Sequence, residues 1–149
     1  MLKFFSYFYI NIRFFTIMSN YNSLRHAKYK IRYHIIFSTK YRKKLLTPIK
    51  DDILSYMKQA EHKDFFIETQ EIDKDHIHLL IHATPNIAPY EIVHHLKQKS
   101  TYLTWKQHHA YMSKWYWRGK HYLWTRGYFC STIGDVSEKT LKHYIENQG

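Results

Sequence analysis

The run Asp75-His76-Ile77-His78-Leu79-Leu80 sets two imidazoles one residue apart inside an apolar stretch. On a β-strand alternate side chains share a face, so His76, His78 and His82 point one way while Ile77, Leu79 and Ile81 point the other. Two imidazoles so placed can hold one divalent ion, and imidazole ligands alone favour zinc. The competing reading is a solvated sheet face whose histidines are satisfied by hydrogen bonds. A second constellation closes the chain: in Lys142-His143-Tyr144-Ile145-Glu146-Asn147-Gln148, Tyr144 and Gln148 stand at i and i+4 on one helical face, where a phenol and an amide can serve one site. A tyrosine on an apolar stripe is more often an ordinary core residue than a nucleophile.

The surroundings of these residues are basic and aromatic. Lys and Arg number 23 against 12 acids in 149 residues, a formal net charge of +11, which favours a polyanionic partner through phosphate contacts and counterion release. Aromatic residues make up 18% of the chain and interleave with cations, as in Lys114-Trp115-Tyr116-Trp117-Arg118 and Lys120-His121-Tyr122. Such interleaving suits single strands, whose exposed bases stack on rings while cations follow the backbone. The alternative is an aromatic core under a solvated basic surface. The single cysteine, Cys130, excludes an internal disulfide and fits a reducing cytoplasm. With glycine only at Gly119, Gly127, Gly134 and Gly149, neither a phosphate-binding loop nor a dinucleotide fingerprint can be written, so the chemistry does not run on bound nucleotide.

The elements that must position these groups emerge from periodicity. Residues 1–18 differ in composition from the rest of the chain and are read as an extension outside the fold, with a peripheral membrane anchor as the rival, and 19–149 as one domain. Alternation predicts a strand from Tyr29 to Thr39, with Lys30, Arg32 and His34 on its polar side. Thr47 as N-cap and Pro48 at the first helical position open a helix running to about His62. Phe65 to Ile72 and His76 to His82 form a hairpin across Asp73-Lys74-Asp75. A helix from Tyr90 to about Lys99 comes next, with Thr101 to His109 as a further helix or its continuation. Leu123 to Ile133 is strand-like, and a last helix starts after Gly134, capped by Asp135 or Ser137. The order β-α-β-β-α-β plus a terminal helix is the α+β, ferredoxin-like (RRM-like) plan: a four-stranded antiparallel sheet with helices on one face. Its first and third strands lie together at the centre, which would bring Lys30, Arg32 and His34 beside His76 and His78 on the open face.

Taken together, Tyr33-His34-Ile35-Ile36-Phe37 with Thr39-Lys40-Tyr41-Arg42, the Asp75-His76-x-His78-Leu79-Leu80 strand, Gly127-Tyr128-Phe129 leading to Ile133-Gly134, and the closing Tyr144 to Gln148 resemble the single-tyrosine HUH transposases of the insertion sequence 200/605 family over residues 19–149. The resemblance implies that His76, His78 and Gln148 are metal ligands, that the metal is Mg2+ or Mn2+ rather than zinc, and that Tyr144 is the catalytic nucleophile forming a 5′-phosphotyrosine with DNA. It further implies a homodimer that cuts single-stranded DNA beside hairpins, with no membrane partner. Lys30, Arg32, His34, Arg42, Arg118 and Lys120 are the candidate nucleic-acid contacts. A non-catalytic single-strand-binding module on the same sheet, and a domesticated relative acting on repeated palindromes, are the alternatives. A phosphotyrosyl ester preserves the energy of the diester it replaces, so rejoining needs no ATP, in keeping with the missing nucleotide motifs.

Overall fold

The computed structural model describes residues 22–117 and 119–134, so residues 1–18, Arg118, the terminal helix and its caps Asp135 and Ser137, Tyr144 and Gln148 lie outside the described residues. The chain divides into two compact units, residues 1–30 and 31–149. In the first, β1 (Asn22–Leu24) and β2 (Ala27–Tyr29) pair as an antiparallel hairpin, with Asn22 opposite Tyr29 and Leu24 opposite Ala27. The strand expected from Tyr29 to Thr39 is therefore divided at Lys30. Tyr29 takes its hydrogen-bonding partner from β1, whereas the next strand, β3 (Ile31–Ser38), pairs with other segments.

The second unit runs β3, α1 (Lys50–Gln59), β4 (Phe65–Ile72), β5 (His76–Ala83), α2 (Pro89–Gln107), a short α3 (His109–Ser113) and β6 (Phe129–Thr132). The sheet order β4-β5-β3-β6, antiparallel throughout, is the ferredoxin-like arrangement, with β3 and β5 central. Alternation on the central strands decides which face is which. Ile35 and Phe37 of β3 and Ile77, Leu79 and Ile81 of β5 are buried and join Ile53 and Met57 of α1 and Ile92 and Leu96 of α2 in one core. Burying each such aliphatic side chain is worth about 1.5–3 kcal/mol, so a one-residue slip of β5, which would turn its apolar set to water, is strongly disfavoured. The register therefore fixes the opposite set, His76, His78 and His82, on the face the helices leave open.

Local chemistry sets the helix starts differently from expectation. Thr47–Ile49 forms a 3-10 turn rather than the first turn of α1, and no side-chain cap is made there, because Leu46 already holds helical backbone angles ahead of it. Asp51 and Asp52 then meet the positive end of α1. At the start of α2, Pro89 occupies the first turn and the Glu91 carboxylate accepts the Ala88 N–H at 2.7 Å. The helix continues without a break to Gln107, uniting the two segments expected there. The buried Ser100 hydroxyl is satisfied within the helix: its Oγ donates to the Leu96 carbonyl at 2.6 Å and accepts from Trp124 Nε1 at 2.8 Å.

The strand-like stretch from Leu123 to Ile133 is only partly a strand. Trp124 makes an isolated bridge to Thr39, and regular pairing resumes at Phe129. Between them Lys97 Nζ donates to the carbonyls of Thr125, Arg126 and Gly127 at 2.7, 3.1 and 3.0 Å. A lysine supplies three donors, so one α2 side chain satisfies three carbonyls that a strand would have placed in a ladder. Burial pulls this ammonium down to about 8.

Candidate functional site

The hairpin turn between β4 and β5 brings the site together. Asp73 N–H donates to the His76 carbonyl at 3.0 Å, and Asp73 Oδ1 accepts the Lys74 N–H at 2.6 Å. Asp75 is thereby held at the mouth of the histidine strand. Its Oδ1 lies 2.8 Å from His76 Nδ1, and its Oδ2 accepts from Arg42 Nε at 3.0 Å. An ionised carboxylate can only accept, so His76 Nδ1 carries the hydrogen and the lone pair of a neutral ring sits on Nε2. Fixing the tautomer and orientation of an imidazole through a carboxylate is how proteins prepare a metal ligand. The hydrogen bond from His76 holds the Asp75 carboxyl below the usual carboxylate range, and Arg42 adds to this against the opposing effect of burial.

Arg42 reaches Asp75 from an uncommon backbone. Tyr41 and Arg42 have φ of 60° and 53°, a left-handed pair that costs about 1–3 kcal/mol per residue outside glycine. Flanking bonds hold it: fully buried Thr39 donates through Oγ1 to the Lys43 carbonyl at 2.7 Å and through its backbone N–H to the Asp75 carbonyl at 2.8 Å.

His78 is the second member. It lies across from Ile36 in the β3–β5 register, and its Nδ1 is 3.3 Å from His34 Nε2, with the two rings stacked at 5.5 Å. His34 in turn meets Phe129 edge-on at 6.4 Å. Burial, and then the neighbouring His76 and His34, lower the His78 pKa and favour its neutral, ligating form. The His76 and His78 ring centres are 5.1 Å apart. The pair forms a wall common to two recesses. One, of about 740 Å³, is bounded by His34, Glu71 and Asp73. The other, of about 380 Å³, is bounded by Ser38, Arg42 and Phe129.

Asp73, which the sequence suggested only as a turn residue, places Oδ2 4.0 Å from His76 Nε2. The donor set present is thus two oriented imidazoles with one carboxylate close by. Among the described residues no group of three or more His, Cys, Asp or Glu is arranged to hold a metal ion, so a complete shell needs a further ligand. Two prepared imidazoles with coordination positions left over fit a divalent ion that also binds substrate oxygen.

Of the other sequence candidates, His34 and Arg42 join the histidine pair. Arg32 faces the same side but farther along, opposite His82, where its Nε and Nη2 each lie 3.2 Å from a Glu68 oxygen. Lys30 belongs to the first unit, and Lys120 lies exposed after Gly119, which has φ of 68°. The sheet plan already placed His34 beside the histidine pair, as found, whereas the Asp75–Arg42 contact joins segments 33 residues apart and was not legible in the sequence.

An antiparallel ferredoxin-like sheet carrying an oriented histidine pair on its open face defines an α+β class. Comparison with known proteins narrows it. The profile of the IS200-like transposases matches residues 27–148, and the chain belongs to that family. It is 30% identical over 133 residues to the transposase for insertion sequence element IS200 of Salmonella typhimurium, spanning 88% of this chain and 85% of that protein. It is also 30% identical over 122 residues to the ISDra2 transposase TnpA of Deinococcus radiodurans, spanning 80% and 85%. A crystal structure from Deinococcus radiodurans R1 that carries a transposase assignment superposes with a TM-score of 0.68 at 26% identity, covering 85% of this chain and 97% of that one. A REP-associated tyrosine transposase bound to a REP hairpin shares the fold, with a TM-score of 0.54 at 12% identity over 81% of this chain and 67% of that one. Family membership supports a DNA transposase. Among the described residues no helix is long and apolar enough to cross a membrane.

Proposed function

We propose that the chain is a cytoplasmic, homodimeric transposase that binds single-stranded DNA hairpins at element ends and cleaves and rejoins the strand through Tyr144. The oxygen of Tyr144 attacks the scissile phosphorus, the bond to the 3′ oxygen breaks, and the products are a 5′-phosphotyrosyl DNA and a free 3′-hydroxyl that leaves with the phenolic proton. Attack by a second 3′-hydroxyl reverses the step and returns the proton to Tyr144. One phosphoester replaces another, so no external energy source is required.

A free phenol with pKa of about 10 is a weak nucleophile at neutral pH, and two phosphate oxygens carry charge that the site must neutralise. A divalent ion, Mg2+ or Mn2+, held by His76, His78 and Gln148 would supply that neutralisation as a Lewis acid. The chain's own residues prepare the site: Asp75 fixes the His76 tautomer, His34 engages the inner nitrogen of His78, and Arg42 keeps Asp75 charged. The observation that carries the reading is the Asp75-held His76 beside the His78 imidazole, whose neutral form burial favours.

The test is incubation with labelled single-stranded oligonucleotides from the flanking DNA. A covalent adduct is expected with the native chain and none with Tyr144→Phe, whose DNA affinity should be retained. Equal adduct from that variant would remove Tyr144 from the mechanism. Absence of adduct from the native chain on every hairpin substrate would leave only a single-strand-binding module.

A further inference from the structure

A groove of about 720 Å³ runs between α2 and residues 121–128, away from the open sheet face. Its α2 wall is a helical stripe that starts at Tyr90, His94 and Lys97 and ends at Thr101 and Tyr102. Tyr90 and Tyr102 stand about 18 Å apart along the helix, at 1.5 Å per residue. Both rings are unusually open for their size, Tyr90 at 65% and Tyr102 at 58% exposed, and Tyr128 on the opposite wall is 40% exposed. Tyr90 stacks against His94 at 6.2 Å, and Lys106 reaches over the Tyr102 ring at 5.7 Å. Apolar ring surface gathered in one groove marks an interaction site more often than chance exposure does.

Charge says what kind. Lys97 and Arg126 line the groove together with His94 and His121, and among the described lining residues none is acidic. Lys97 is engaged by the 125–127 carbonyls, which leaves Arg126 as the cation turned to the groove. Rings for bases and cations for phosphates are the two requirements of a sequence-tolerant single-strand channel.

Position supplies the third argument. Thr125 and Tyr128 line both this groove and the 380 Å³ recess that contains His76 and His78. The segment pinned by Lys97 is thus a thin partition between the histidine pair and the aromatic groove. At the far end, Tyr102 and His121 continue into a 230 Å³ recess with Trp105 and Lys106. A strand passing the histidines therefore meets Phe129, then Tyr128, then the exposed α2 rings.

We propose that this groove is a second nucleic-acid subsite, which takes unpaired nucleotides beyond the histidine site and stacks their bases on Tyr128, Tyr90 and Tyr102. The proposal rests on the reading that the chain acts on single-stranded DNA, and it adds where the uncut part of the strand runs.

The experiment compares the native chain with Tyr90→Ala, Tyr102→Ala and Tyr102→Phe, all at exposed positions. Fluorescence anisotropy is read with labelled oligothymidine and with duplex of equal length, at one salt concentration. Each alanine variant is expected to bind oligothymidine about tenfold more weakly, the loss of one base stacked on a ring, while duplex affinity stays unchanged and Tyr102→Phe binds as the native chain does. With 5-iododeoxyuridine in the oligonucleotide, photo-cross-links should map to Tyr90, Tyr102 and Tyr128. Native affinity in both alanine variants, with cross-links elsewhere, overturns the subsite. If the native chain still forms the Tyr144 adduct in that case, the transposase function stands and the subsite alone falls. A native chain that neither binds single strands nor forms an adduct overturns both. A changed sedimentation coefficient in Tyr102→Ala with unchanged DNA affinity assigns the groove to self-association and overturns the proposal as well.

Discussion

The two ends of the open sheet face carry the same residue type on the same strand and put it to opposite use. At one end Asp75 grips His76 through Nδ1, the nitrogen nearer the backbone, and leaves Nε2 outward. At the other end Glu68 grips His82 through Nε2 at 2.7 Å, and Nδ1 is left buried with no hydrogen-bond partner among the described residues. Phe66 covers that ring face to face at 4.7 Å. A buried lone pair is tolerable when Nε2 carries the hydrogen, but it is not available as a ligand. Which nitrogen the carboxylate takes therefore separates a prepared ligand from a structural histidine. Burial opposes the charge on Glu68, yet the hydrogen bonds from His82 and Arg32, with the Arg32 charge, outweigh it and hold the carboxyl below its usual value. That end of the sheet is a closed ion-pair network, whereas the His76 end keeps donors in reserve.

The sharpest way to break this contrast is to remove a ligand from the prepared end. His78→Ala should lower adduct formation by about 100-fold or more, because a Lewis acid supplies several kcal/mol of charge stabilisation and each 1.36 kcal/mol is tenfold in rate. Hairpin affinity measured without metal should be unchanged. Native cleavage by this variant would show that the two ends do not differ in function.

A smaller effect is expected one bond farther out. Asp75→Asn keeps an acceptor for His76 Nδ1 but loses the charge that fixes the tautomer and holds Arg42. Loss of such a supporting group typically costs 10- to 100-fold in metal affinity or activity. We expect the low end, about tenfold, seen as a higher Mg2+ or Mn2+ concentration for half-maximal adduct with little change at saturation. A fall in yield that no metal concentration restores would instead assign Asp75 to the chemistry itself.

How much of this contrast the sequence could reveal depends on the range of the interactions. The alternation of Ile77, Leu79 and Ile81 against His76, His78 and His82 is a period-two signal that one buried face enforces, and the sheet plan was legible from it. The β4 strand expected over Phe65 to Ile72 forms as read, but its facing does not follow simple alternation, because a bulge between Ile67 and Thr69 inserts one residue and resets it. The bulge puts Glu68 within reach of Arg32 and His82, so an arginine read as a DNA contact is tied to a carboxylate 36 residues away. Lys97 escaped for the same reason: its acceptors lie about 30 positions downstream, and nothing local marks it as the residue that bends 125–127 out of the ladder. The terminal pair Tyr144 and Gln148 stays a matter of sequence and family resemblance, since both lie outside the described residues.

The mildest test acts on the closed end. His82→Ala removes the Phe66 stack and one of the hydrogen bonds to Glu68, and should destabilise the fold by about 1–2 kcal/mol, read as a lower midpoint in urea, while adduct formation stays within about twofold of native. The acid limb of stability supplies an independent check. A carboxyl whose folded pKa is depressed contributes stability that is complete above its unfolded value, near 4.5 for Glu68, and lost as pH falls through the lower folded value. His82→Ala should therefore weaken the fall in stability below pH of about 4.5, because Glu68 then has less depression to lose, and Glu68→Gln should weaken it further. Adduct yield that dropped with His82→Ala as steeply as with His78→Ala would mean that the carboxylate's choice of nitrogen does not divide the face, and that all three β5 histidines serve one site.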